Sequence, residues 1–333
     1  MRTAHTAKAL DPEPFIKGVA AGDRVMLARA ITLIESSLPA HMRAADTLMQ
    51  AIMPMTGNSV RVGITGVPGV GKSTFIEALG CRLCDEGLRL AVLAVDPSSS
   101  LSKGSVLGDK TRMEELSRRQ NCFIRPSPSG CVFGGVARRS REAMLLCEAA
   151  GYDTIFIETV GVGQSETTVR SMVDFFLVLL LAGAGDDLQG VKKGIMELAD
   201  GLVITKADGP NKIHAEAARA SLERVVHWLH SPTPGWHAPV RTCSSATGEG
   251  IREVYGMVES FMAKFKANGG FDRRRADQRI EWVRNIVEQE LIQEFYGTPA
   301  VSAEWTSLEA DLRSGVLSPS AAARRLLSLQ PKH

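Results

Sequence analysis

From residue 60 onward the chain alternates short, almost unbroken apolar runs with stretches in which apolar residues return every three or four positions. The runs are 60–65, 90–95, 154–157, 175–181, 202–205 and 240–243. A run without polar alternation suits a strand covered on both faces. Helical spacing follows at 72–86, 142–149, 193–199, 213–229 and 249–266. Repeated strand-helix units imply right-handed crossovers, so an α/β fold with a mainly parallel sheet is expected.

Two helical segments flank this middle part. Residues 15–55 carry Val19, Met26, Leu27, Ala30, Leu33 and Ile34 at helical spacing before Pro39 interrupts them. After Asn268-Gly269-Gly270 comes Asp272, the run Arg273-Arg274-Arg275, and a stripe of Ile280, Val283, Val287, Leu291 and Phe295. The expected organisation is a helical extension over 1–57, a central domain over 58–268 and a helical arm over 269–333. The three arginines read as a solvated face or as partners of nearby Asp272 and Asp277, with an RNA-binding patch as the weaker alternative. Trp282 and Trp305 suit either an interface or packing between tail helices.

The clearest chemical signal is Gly66-Val67-Pro68-Gly69-Val70-Gly71-Lys72-Ser73, which fits G-x-x-x-x-G-K-[ST] between an apolar run and a helical one. Glycines let the backbone curl its N–H groups inward, and the following helix turns its positive end toward a bound anion. Lys72 supplies a point charge to the β and γ phosphates, and the Ser73 hydroxyl is placed for Mg²⁺, with Thr74 next in the helix. Thr205-Lys206-Ala207-Asp208 closes a strand at the carboxyl edge, where open α/β sheets bind ligands. An acceptor-only Asp208 matches the N1–H and N2–H donors of guanine and mismatches adenine, which favours GTP; a helix-capping aspartate is the plainer reading. Thr242-Cys243-Ser244-Ser245-Ala246 fits a second base-contacting loop through Ser245 and Ala246, or an ordinary turn.

Glu158-Thr159-Val160-Gly161 ends another strand, where this class of nucleotide hydrolase carries Asp-x-x-Gly. Glu158 is a candidate to hold Mg²⁺ or a metal-bound water, and Gly161 to sense the γ phosphate. Asp96 and Asp109 are further acidic candidates, with capping or solvation of a loop as the alternative for all three. Gln164 either orients water or is a polar loop residue.

Bulk composition narrows the partners. With 39 basic and 37 acidic side chains the formal net charge is +2, which speaks against a nucleic-acid-coating surface or a polybasic membrane anchor. The N-terminal MRTAHTAKALDPEP lacks an apolar core, and the longest apolar run, 175–182, is far short of a bilayer span of ~18 residues. A cytoplasmic protein without nucleic-acid or membrane partners is expected. Cysteines at 81, 84, 122, 131, 147 and 243 read as reduced thiols.

The strings 66–73, Asp96-Pro97-Ser98-Ser99-Ser100, 104–112 (GSVLGDKTR), 158–166 (ETVGVGQSE) and 205–208 together resemble the MeaB/ArgK family, over about residues 15–330. The resemblance implies a three-layer P-loop GTPase domain of the SIMIBI type, the signal-recognition and metallochaperone branch, dimerised through C-terminal helices. It implies GTP/GDP and Mg²⁺ as cofactors, with Ser73, Asp96, Asp109 and Glu158 at the metal. It makes 186–193 (DDLQGVKK) a third switch that contacts a mutase, and Lys192 the residue coupling partner to hydrolysis, so that Lys72, Glu158, Asp109 and Lys192 form the expected catalytic set. Thr205 stands where many G proteins have Asn. The implied role is gating of adenosylcobalamin loading on, and protection or reactivation of, a B12-dependent acyl-CoA mutase of the methylmalonyl-CoA type, with the cobalamin adenosyltransferase as a further partner.

Three other functions compete. Cys81 and Cys84 form a C-x-x-C, and nickel chaperones are also P-loop GTPases; two cysteines three apart on a helix otherwise share a buried face, as His227 and His230 beside Trp228 otherwise cap or lie at the surface. An ArgK-like kinase would need an acceptor pocket that no string marks. A non-enzymatic GTP-binding scaffold would lack turnover.

Overall fold

The computed structural model describes residues 10–36, 38–95, 113–126, 135–159, 165–182, 193–229 and 231–329. The six expected apolar runs are strands: β1 (Val60–Gly66), β2 (Leu90–Val95), β4 (Thr154–Thr159), β5 (Phe175–Leu181), β6 (Gly201–Thr205) and β7 (Val240–Thr242). A seventh, β3 (Cys122–Arg125), lies outside the expected set and is only four residues long. They form one sheet in the order β3-β2-β4-β1-β5-β6-β7, and every neighbouring pair is parallel. β2 and β4 are buried along their whole length, as sequences without polar alternation require.

The helices of this part are α4 (Lys72–Asp85), α5 (Glu114–Arg118), α6 (Gly135–Ala149), α7 (Ser165–Arg170), α8 (Lys193–Met196), α9 (Asn211–His227) and α10 (Ile251–Ala267). Phe75 and Ile76 on α4, Phe156 on β4, Phe175 on β5 and Phe261 on α10 are fully buried in one core. Phe261 meets Phe175 and Trp236 edge-on, each at 5.1 Å between ring centres, a favoured aromatic geometry. The α/β class with a parallel sheet is therefore the observed one.

The N-terminal segment is three helices, α1 (Glu13–Ala20), α2 (Arg24–Ile34) and α3 (Pro39–Ile52). The Asp23 side chain caps α2 by accepting from Val25 N and Met26 N. Pro39 opens α3 where a break was expected, because a first-turn N–H has no helical partner to lose.

Three helices end the chain: α11 (Gly270–Gly297), α12 (Pro299–Arg313) and α13 (Pro319–Leu327). The chain forms two compact units that part between Arg275 and Ala276, within α11. The second unit has its own small core of Val301, Leu308, Ala322 and Leu326. Of the expected stripe, Ile280, Val283, Val287 and Leu291 are 50–61% exposed. No helix among the described residues is long and apolar enough to cross a membrane.

The reading of the arginine run as a solvated face is corrected here. Arg273 is exposed, but Arg275 is only 5% exposed and belongs to the first unit. Its Nε and Nη2 donate to the Asp174 carboxylate at 2.9 and 2.7 Å, and its Nη1 and Nη2 to the carbonyls of Gly57 and Ser59, each at 2.7 Å. Arg61 and Glu148 join by two bonds at 2.7 and 3.0 Å. These ions line the amino-terminal edge of the sheet, since β1 and β5 begin at Val60 and Phe175.

Candidate functional site

The opposite, carboxyl-terminal edge carries the phosphate loop. β1 ends at Gly66 and α4 begins at Lys72, so the strand delivers the chain into a turn that the helix closes. A Cβ on Gly66 would lie 2.5 Å from the Leu179 carbonyl oxygen, which fixes glycine at the strand exit. Gly71, the helix N-cap, has φ +91°, a conformation that side-chain-bearing residues resist. Val70 is fully buried, while Pro68, Gly69 and Thr74 are exposed and Val67, Lys72 and Ser73 are half-buried.

Lys72 Nζ donates to the Gly66 carbonyl at 2.7 Å, so the ammonium already lies across the loop. Burial pushes its pKa below the usual lysine value, and the carboxylates of Glu158 and Glu166 pull it back up. Glu158, at the end of β4, is 4% exposed, and its Oε1 accepts from the Ser73 hydroxyl at 3.2 Å. Two oxygen donors from separate elements thus meet at the start of α4, a chemistry that fits Mg²⁺. Beside them the Thr159 hydroxyl donates to Thr65 Oγ1 at 2.8 Å and joins β4 to β1.

The Thr205–Asp208 corner is tied to the same loop. Thr205 is 2% exposed, and its hydroxyl lies 2.7 Å from the Val70 carbonyl and 3.2 Å from that of Leu180. Lys206, the only non-glycine residue with positive φ among those described (+56°), reaches the Gly69 carbonyl with Nζ at 2.9 Å. Asp208 is half-buried and accepts a bond from the Ser244 hydroxyl. Ala207 N donates to the Cys243 carbonyl and Cys243 N to that of Ile204, at 3.0 and 2.9 Å, which stitches the two base-side loops together. Ser245 is half-buried and Ala246 exposed in the turn that follows.

Of the expected site residues, the structure brings together Gly66 to Ser73, Glu158, Thr205, Lys206 and Asp208. Ser245 and Ala246 lie in the adjacent loop. Asp96, Asp109, Gly161, Gln164 and Lys192 lie outside the described residues, as do Cys131 and His230. Two residues were missed. Ser244 sat inside a quoted string but is the hydroxyl that meets Asp208, and Glu166, 4% exposed, stands close enough to raise the Lys72 pKa. Its place in 158–166 was the available signal.

Cys84 is buried, Cys81 half-buried, and both pack into the core beneath α4. The five described cysteines are free, and no group of three or more His, Cys, Asp or Glu among the described residues could hold a metal.

Residues 27–300 match the family described as methylmalonyl Co-A mutase-associated GTPase MeaB. The chain is 53% identical over 320 residues to a putative GTPase of Caulobacter vibrioides, covering 96% of this chain and 98% of that one. It is 43% identical to the mouse (Mus musculus) methylmalonic aciduria type A homolog, mitochondrial, covering 93% and 77%. Among solved structures it resembles LAO/AO transport system kinase, with a TM-score of 0.77, 39% identity and coverage of 96% and 98%.

Proposed function

The chain belongs to the MeaB family of methylmalonyl-CoA mutase-associated GTPases, and on that premise we propose that it binds GTP with Mg²⁺, hydrolyses it to GDP and phosphate, and uses that cycle to gate adenosylcobalamin loading on a B12-dependent acyl-CoA mutase. The observation that carries this reading is the frame in which Thr205 and Lys206 hold the phosphate loop while Asp208 stands beside it. One rigid corner then serves both ends of a guanine nucleotide.

Water attacks the γ phosphorus in line, and charge grows on the phosphoryl oxygens and the leaving bridge oxygen. Lys72 and the loop backbone are held beforehand by the bonds to the Gly66, Gly69 and Val70 carbonyls, so little reorganisation is needed as that charge develops. Ser73 and Glu158 would hold Mg²⁺, which supplies further positive charge at the β and γ phosphates. Asp96, Asp109, Gly161 and Lys192 complete the site in this reading, Lys192 as the link to the mutase. The exposed stripe on α11 serves homodimerisation, and the cobalamin adenosyltransferase is a further partner in the same cycle.

The test is phosphate release by the purified chain with methylmalonyl-CoA, isobutyryl-CoA or ethylmalonyl-CoA mutase added in turn. One of them is expected to raise turnover by about tenfold or more, as activation of a P-loop GTPase by a partner does. No stimulation by any of the three overturns the mutase assignment. Stimulation by Ni²⁺ instead would favour metal delivery, and label from the γ phosphate on an amino acid or protein would favour a kinase.

A further inference from the structure

Two arginines from distant parts of the chain converge on one buried carboxylate. Asp200, just before β6, has 0% exposure; its Oδ2 accepts from Phe176 N at 3.0 Å and its Oδ1 from the Thr233 hydroxyl at 2.6 Å. Arg170, the last residue of α7, places Nη2 3.4 Å from Oδ2, and Arg274, at the root of α11, places Nη1 3.5 Å from the same oxygen. Both are ion-pair distances longer than a good hydrogen bond, so the two guanidiniums share one acceptor that neither saturates.

α7 is a strut between the two edges of the sheet. Its Glu166 stands close enough to Lys72 to raise that lysine's pKa, and it ends one short turn before β5, at the amino edge. It lies against β1, where Gly63 leaves the space that Val169 fills: a Cβ there would stand 2.8 Å from Val169 Cγ1. Its exit is fastened by Arg141, whose Nη2 donates to the Ser171 hydroxyl at 2.5 Å, and by Arg274, which donates to the Asp174 carbonyl. Arg274 also bonds Thr233 and stacks on Phe265 at 4.4 Å. Burial lowers its pKa to about 10, a sign of how little water reaches it.

Resting on the reading of the site as GTP-hydrolysing, we infer that Asp200 is a positioning residue for hydrolysis, acting through Arg170 on α7, the helix that carries Glu166 beside Lys72, and that Arg274 is tied into the same carboxylate. A buried carboxylate cannot lose a partner cheaply, so Arg170 keeps its place only while Arg274 completes the same carboxylate, and the two positions act as one unit.

The experiment uses the full chain with Mg²⁺ and compares Arg170→Ala, Arg170→Lys, Arg274→Gln and the double variant Arg170→Ala/Arg274→Gln. Arg170→Ala is expected to lower kcat about fivefold or more with KM for GTP and GDP affinity within about twofold, and Arg170→Lys to recover most of the loss. Arg274→Gln is expected to lower kcat about threefold, and the double variant to match the larger single effect within about twofold. Should Arg274→Gln fail to bind GDP, Arg274→Lys, which keeps the charge and loses the fork, is read in its place. Unchanged kcat in the single variants, a KM rise that accounts for the loss, or effects that multiply in the double variant would each overturn the inference. A parent chain without GTP turnover would overturn the function itself, whereas a parent that turns over beside indifferent variants overturns this inference alone.

Discussion

The two edges of the sheet are built from opposite materials. At the carboxyl edge short polar contacts hold loops: Lys72 to Gly66, Ser73 to Glu158, Thr205 to Val70, Ser244 to Asp208. At the amino edge Arg61, Glu148, Asp174, Asp200, Arg274 and Arg275 form a buried ionic cluster, with Glu148, Asp174 and Asp200 at 0–5% exposure. At the first edge Lys72 and Lys206 reach carbonyls of the glycine loop; at the second Glu148, Asp174 and Asp200 are each met by an arginine. The difference separates the edge proposed to bind nucleotide from the edge that braces the fold, and substitutions at each edge should therefore fail differently.

The largest expected effect is on stability at the amino edge. Arg275→Ala leaves the Asp174 carboxylate buried without its two guanidinium bonds, and should lower unfolding free energy by about 3–5 kcal/mol in urea. Exposed Asp272→Ala, three residues away, should change it by less than about 0.5 kcal/mol. Next, Lys72→Ala should lower kcat/KM for GTP by about 10²–10³, the cost of one preorganised donor to developing charge, while phosphate release is followed. The reverse pattern at either edge would erase the contrast.

The carboxyl edge was legible because its chemistry is contiguous. Eight consecutive residues, 66–73, announce the loop, and 205–208 announce the corner. The amino edge was not, because its partners are far apart in sequence: Arg275 and Asp174 are 101 residues apart, so local reading offered only Asp272 and Asp277. β3 escaped for another reason, since four residues ending in Arg125 give no periodicity to read. Pro39 was legible as a boundary but not as a start. Thr205 was read only as standing where many G proteins have Asn; that its hydroxyl is directed to Val70 and Leu180 is shown by the folded corner alone.

Smaller effects sharpen the comparison within the site. Asp208→Asn should weaken GDP binding about 30- to 100-fold, the ~2–3 kcal/mol of charge-assisted bonds to guanine, by competition with a labelled nucleotide. Ser244→Ala removes only the hydroxyl that orients Asp208 and should cost about fivefold, near 1 kcal/mol. The least effect is on pH dependence. Because burial lowers the folded-state pKa of Lys72, its charged form disfavours the nucleotide-free fold below that pKa, and the penalty fades as pH rises toward the unfolded value of 10.5. Lys72→Met should thus be more stable than the parent at pH 7 in urea, by a margin that shrinks toward pH 10.

The most direct test of the central claim is calorimetric titration of the purified chain with GDP and with ADP in the presence of Mg²⁺. Asp208 beside the phosphate loop predicts a preference for GDP of about 100-fold or more, the worth of a carboxylate paired with two guanine donors and mismatched to adenine. Equal affinities for the two nucleotides would contradict it.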